Sequence, residues 1–158
     1  MSIQLTGADV IDLAVQTEVR GERFYRQAAA NVGQGEAREL FIHLANEEVR
    51  HKQVFAGLSS AIVVTDIDST TWDEAIAYIE ATVDHEFFGS AAPIRAIPLG
   101  ETVGEMIHQA MGFEKQTLLF FYGLRDLVQS PNRPLLDGII GEEKMHIRRL
   151  ADMLGTLR

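Results

Sequence analysis

The chain has 158 residues, 46% of them hydrophobic, enough for one domain of ordinary size (1–158) with its own core. It has no cysteine, which excludes disulfides, thiolate zinc sites, iron–sulfur clusters and thiol catalysis. A net charge of −9 argues against nucleic acid, whose phosphates need clustered Lys and Arg, and no apolar stretch approaches the roughly 20 residues of a membrane span.

Thr6 or Gly7 opens a first predicted helix, with Asp9 and Asp12 in its first turns, where the helix dipole favours acids. It runs to about Asn31, and Gly33 and Gly35 break it. At about 100° per residue, Gly7, Ile11, Ala14, Glu18, Glu22, Tyr25, Ala29 and Val32 form one stripe. Two glutamates on a face meant for burial need a reason. A second helix is expected from Glu36 to Ser59, with Ala37, Phe41, Leu44, Glu48, His51 and Phe55 on its inner stripe. Ile62-Val63-Val64 is too short an apolar run for a helix, and Asp66-Ile67-Asp68-Ser69 reads as a turn.

Thr70 or Thr71 then caps a shorter helix over Trp72 to Phe88, with Ala75, Ile76, Ile79, Val83 and Phe87 on its apolar side. Gly89, Pro93 and Pro98 mark a loop. The stretch from Ser60 to Leu99 reads as a long crossover carrying its own helix. The next long helix spans Glu101 to Gln129, with Val103, Ile107, Ala110, Met111, Glu114, Thr117, Leu118, Phe121, Arg125 and Val128 facing inward. Pro131 and Pro134 separate it from a last helix over Leu135 to Leu154, whose stripe holds Leu136, Ile139, Ile140, Glu143, His146 and Leu150, with Gly155 ending it.

An internal repeat joins these elements. Glu48 and His51 recur 95 residues later as Glu143 and His146, and Glu18 recurs 96 residues later as Glu114. Each half is a helix with one central Glu followed by a helix with Glu-x-x-His, and residues three apart on a helix share a face. Composition alone predicts roughly 0.4 Glu-x-x-His pairs. Three occur. The third, Glu105 with His108, points about 100° or more away from the Glu114 stripe and reads as a solvated surface pair. The inward set is therefore Glu18, Glu48, His51, Glu114, Glu143 and His146. Four carboxylates and two imidazoles, with a ligand group from every long helix, make the arrangement with which a bundle core holds two iron or manganese ions. In that assignment Glu48 and Glu143 bridge, and Glu18, Glu114, His51 and His146 are terminal ligands.

Several neighbours have two readings. Glu47 and Glu142 lie about 100° round from the ligands, as partly exposed helix formers or as partners to an imidazole on a neighbouring helix. His43 and His85 show no ligand spacing and read as surface or crossover residues. Tyr25 is core packing with a hydrogen-bonded hydroxyl, or a catalytic phenol that carries protons or electrons beside the metals. Glu22 is a polar edge residue or a carboxylate lining a path for metal, or an additional metal ligand; its repeat counterpart is Leu118.

Glu18 through Tyr25, Leu44 through His51, Glu114 through Tyr122 and Glu142 through His146 together resemble the ferritin-like superfamily, specifically its rubrerythrin-type domain. The resemblance implies an all-α, ferritin-like four-helix bundle whose long crossover contains an additional short helix. It also implies two iron ions, with manganese or zinc as substitutes, and a homodimer or larger homo-oligomer. Peroxide-reducing rubrerythrins carry a cysteine-ligated rubredoxin domain as electron donor. This chain has no Cys, so its electrons would come from a separate protein. Rubrerythrins also carry a second Glu three residues after the first on the third long helix; here that position is Thr117, unless Glu22 substitutes from the first helix.

The expected function is that of a non-haem di-iron oxidoreductase, oxidising Fe(II) with O2 or H2O2 or reducing these oxidants at a carboxylate-bridged site. The alternative is a non-enzymatic iron-binding or storage component, or a metal-dependent structural or sensor module. The opening Met1-Ser2-Ile3-Gln4-Leu5 has no basic region followed by an apolar run, so no signal peptide is expected and the cytoplasm is the expected location, with no membrane and no nucleic-acid partner.

Overall fold

The computed structural model of the chain describes residues 6–58, 67–82, 99–129 and 132–158. Among these are five helices and no strand: α1 (Gly7–Val32), α2 (Glu36–Gly57), α3 (Ser69–Thr82), α4 (Val103–Leu127) and α5 (Arg133–Thr156). The expectations for Ser59, Ile62-Val63-Val64, Asp66, Val83, His85, Phe87, Gly89, Pro93, Pro98 and Pro131 lie outside the described residues.

Local chemistry sets the boundaries. Thr6 and Asp9 form a capping box at the start of α1, and Thr102 and Glu105 form one at the start of α4. Glu105 is thus occupied as a helix cap, and both it and His108 are exposed. Gly33, at φ 79°, ends α1 in a conformation that side chains disfavour.

Several boundaries correct the sequence expectation, and Gly155 lies inside the last helix, which runs on to Thr156. The third helix begins at Ser69, because Asp68, rather than Thr70 or Thr71, accepts the Thr71 backbone N–H at 2.9 Å. The last helix begins at Arg133, because a proline lacking an N–H is tolerated in a first turn, where that donor has no intrahelical acceptor. Pro134 is therefore part of the helix it was expected to precede.

α1 packs along α2, α4 along α5, and the two pairs meet through α1 against α4 and α2 against α5. This is a four-helix bundle. The crossover helix α3 lies outside it, docked on α4 through Ala75 and Ile79. It comes so close that a Cβ on Gly123 would stand 2.6 Å from the Tyr78 ring and 2.9 Å from Ile79. No described helix is long and apolar enough to cross a membrane.

The core has two apolar layers. One gathers Val10, Ile11 and Ala14 with Phe55, Phe121, Leu124, Leu136 and Ile140. The other gathers Phe24, Tyr25 and Ala28 with Phe41, Leu44, Ile107, Ala110 and Leu150. On each long helix the buried Glu falls between the two layers: Glu18 between Ala14 and Tyr25, Glu48 between Leu44 and Phe55, Glu114 between Ala110 and Phe121, Glu143 between Ile140 and Leu150. An ionisable layer therefore crosses the middle of the bundle.

Candidate metal centre

Glu18, Glu48, His51, Glu114, Glu143 and His146 are each at most 1% exposed. They fall into two overlapping groups. Glu18, Glu48, His51 and Glu143 bring one donor atom each to within 4.8 Å of one another, and so do Glu48, Glu114, Glu143 and His146. Glu48 and Glu143 belong to both. Oε1 of Glu143 lies 2.7 Å from Nδ1 of His51, and its Oε2 lies 2.9 Å from Nδ1 of His146. Glu48 straddles the same two rings more loosely, with Oε2 3.7 Å from His51 and Oε1 3.9 Å from His146. Glu18 stands on the His51 side at 3.8 Å and Glu114 on the His146 side at 3.3 Å. The rings are nearly parallel, with centroids 5.6 Å apart.

These close approaches lack hydrogen-bond geometry. Both oxygens of Glu18, Glu48 and Glu143, and Nδ1 of both histidines, are buried without a hydrogen-bond partner. Such atoms cost free energy unless something else engages them. Carboxylate oxygen and imidazole nitrogen are the donors that suit iron, manganese or zinc, and each group of four could hold one ion.

The electrostatics carry the same tension. Burial, then the neighbouring carboxylates, pushes Glu18 and Glu48 well above the usual range. Burial and the charge of Glu143 raise Glu114 to about 8 against the pull of His146. Burial opposes ionisation of Glu143, but the adjacent His146 and His51 rings outweigh it and bring the group down to about 2. Burial likewise opposes charge on the rings. Glu143 and Glu48 nonetheless lift His51 to about 10, and Glu114 and Glu143 lift His146 to about 11.

The Rubrerythrin family model matches residues 9–154, nearly the whole chain and every residue of both groups. The chain belongs to the rubrerythrin family. Its fold is ferritin-like. A Thermotoga maritima protein, whose crystal structure is described as that of a candidate ferritin-like diiron-carboxylate protein, aligns over 100% of both chains at 25% identity with a TM-score of 0.72. No curated protein matches the chain.

Around this rubrerythrin-family centre, two contacts come from outside the six residues. The Tyr25 hydroxyl donates to Oε1 of Glu114, so the phenol on α1 reaches the carboxylate of α4 rather than Glu18 of its own helix. Burial and the nearby Glu114 raise its pKa well above the ordinary value, keeping it protonated as a hydrogen-bond donor. On the other flank, Nε2 of His51 lies 2.6 Å from Oε2 of Glu142. An Nε2–H donating there leaves Nδ1 free to face the centre. Arg50 bonds Glu142 and also Glu47, the latter at 3.0 Å. Glu47, His51 and Glu142 are themselves close enough to share an ion, but Arg50 already supplies a positive charge there.

The structure does not bring Glu22 to the centre. Its side chain is 20% exposed and pairs with Arg26 at 2.8 Å and Lys52 at 3.2 Å, and it joins neither group of four. Lying four residues past Glu18, it is rotated to the bundle edge, where two cations hold it ionised despite partial burial. Arg125, expected on an inner stripe, is likewise at the edge, paired with Asp137. His43 is exposed and lies against Arg149. Gly21 carried no signal in the sequence, yet a Cβ there would stand 3.1 Å from Oε1 of Glu48 and 3.0 Å from the Phe113 ring. The residue 96 positions later is Thr117.

Proposed function

We propose that this chain holds two iron ions, one between Glu18 and His51 and one between Glu114 and His146, with Glu48 and Glu143 shared between them. Their reaction is the oxidation of Fe(II) or the reduction of peroxide. The observation that carries the reading is the pair of overlapping four-residue groups, buried between two apolar layers, ten of whose side-chain atoms have no hydrogen-bond partner. Four carboxylates balance two divalent charges, and two neutral imidazoles complete the set. Bound iron supplies the electron transfer to O2 or H2O2. The protein supplies geometry, an apolar wall that excludes water, and a phenol donor at Glu114. Tyr25 holds its hydroxyl proton against that carboxylate, and is the residue placed to share a proton with it. Peroxide reduction needs an electron donor, and these 158 residues hold no cysteine with which to build an iron–sulfur or rubredoxin centre of their own. A homodimer or larger homo-oligomer is the proposed working form, and the cytoplasm its proposed location.

Anaerobic Fe(II) titration followed by stopped-flow mixing with O2 and with H2O2 tests the reading. Two irons per chain, oxidised faster than iron in buffer, is the expected result. Glu48→Ala combined with Glu143→Ala should abolish binding of both ions; unchanged stoichiometry would remove these residues from the site. Retention of many more than two irons per chain would turn the reading to storage.

A further inference from the structure

Twelve buried side-chain nitrogen and oxygen atoms of the described residues have no hydrogen-bond partner, and ten belong to the six residues of the proposed metal site. Of the other two, one is Nε of Arg20, a residue that makes an interaction of its own. The remaining atom is Oγ1 of Thr117, on a residue 3% exposed.

A buried helical threonine has an easy solution, which is to donate to the carbonyl four residues back. Thr17 takes it, bonding the Leu13 carbonyl at 2.9 Å. Thr117 does not bond the equivalent carbonyl of Phe113. It lies one turn past Glu114, on the face that α4 turns to the core. The 96-residue repeat pairs it with Gly21, whose backbone closes against Glu48 so tightly that a Cβ would meet the carboxylate at 3.1 Å. α1 thus presses bare backbone on one shared carboxylate, while α4 carries a hydroxyl at the equivalent place. The two sides of the centre are chemically unequal there.

We propose that the Thr117 hydroxyl binds the small exchangeable ligand of the metal pair, an anion or oxygen donor that accepts its hydrogen bond on the Glu114–His146 side. The inference rests on the two-metal reading above. A hydroxyl both donates and accepts, so it suits a ligand whose protonation changes during reaction. It makes α4, and not α1, the helix that orients what binds.

Thr117→Val keeps the shape and removes the hydroxyl; Thr117→Ser keeps the hydroxyl. Azide is the probe, titrated into the iron-loaded, oxidised protein and followed by its charge-transfer absorption. The Val variant should retain two irons and bind azide about tenfold more weakly, the loss expected for one hydrogen bond, while Ser stays within about threefold of wild type. Metal-free Val protein should melt above metal-free wild type, because an orphaned buried hydroxyl has been removed. Azide affinity indifferent to Val overturns the inference. So does loss of an iron from the Val variant, which would make Thr117 part of the metal-holding set, or a lower melting temperature of the metal-free Val protein, which would reveal a partner within the fold. Wild-type protein that holds no metal pair overturns the two-metal reading and this inference together. Two irons with hydroxyl-independent azide binding overturns this inference alone.

Discussion

The Tyr25 hydroxyl on α1 donates to Oε1 of Glu114 on α4, linking the helices that start the two halves of the repeat. The same ring stacks on Phe41 with centroids 6.1 Å apart, so packing holds the phenol in place while its oxygen serves the acid layer. Tyr25→Phe should keep the packing and the fold. It removes one hydrogen bond to a buried carboxylate, about 1–3 kcal/mol. The expected outcome is two ions still bound, with the one at Glu114 and His146 weakened by roughly tenfold or more. Stepwise metal titration reads this directly; equal weakening at both positions would contradict it.

Glu142 holds the outer nitrogen of His51, and the orientation of that ring depends on it. Nε2 of His146 has no such partner, although Glu47 stands in the equivalent place in the repeat. Glu142→Ala should therefore weaken the ion at Glu18 and His51 by about 10–100-fold, and Glu47→Ala should change either ion much less. Comparing the two variants by calorimetric titration checks the asymmetry.

The metal-free protein should lose stability as pH rises. His51 and His146 are raised from 6.5 to about 10 and about 11, and Glu114 from 4.5 to about 8. Groups that bind protons more tightly when folded stabilise fully below their unfolded pKa, and that contribution disappears as pH climbs through the folded value. The Glu114 contribution declines between pH 4.5 and about 8, and those of the histidines between 6.5 and about 10 to 11. Metal binding runs the other way: ions displace these protons, so affinity should rise with pH, with proton release measurable by titration in buffers of different ionisation enthalpy. Melting temperatures of the metal-free protein from pH 7 to 10 should fall; a rise would mean that the imidazoles are neutral in the fold.

The crossover helix docks on α4 at Gly123, where no room exists for a methyl group against Tyr78 and Ile79. Gly123→Ala should cost about 1–3 kcal/mol through overpacking. Trp72, the only tryptophan, lies partly buried on α3 and reports the event. Its emission should shift to the red in the variant, with metal stoichiometry unchanged, because no ligand sits on α3.

Much of this was legible in the residues. The 3.6-residue period placed four long helices, and the paired offsets of 95 and 96 assembled Glu18, Glu48, His51, Glu114, Glu143 and His146 into one layer. Stripe reasoning failed at its margins. Glu22 and Arg125 lie near the inner face by angle, but long charged side chains at an edge turn to partners of opposite sign. Contacts between helices left no mark in spacing within a helix. The reach of Tyr25 to Glu114 depends on how the helices are set against one another; the same setting selects, for Glu142, the imidazole partnership that the sequence had left as one of two readings. The closeness of Gly21 to Glu48 depends on an interhelical distance that a glycine permits without announcing.

The acid layer that separates the two apolar layers also sets how the molecule responds to its occupant. Each apolar layer draws on α1, α2, α4 and α5, so both share the seam between them. The raised pKa values of Glu114, His51 and His146 favour protons in that seam, while ions that bind only the folded chain would stabilise it in proportion to the logarithm of their concentration over their dissociation constant. Both ends of the bundle would then tighten together, and melting temperature becomes a gauge of metal supply: a chain short of metal is the one first offered to unfolding and proteolysis.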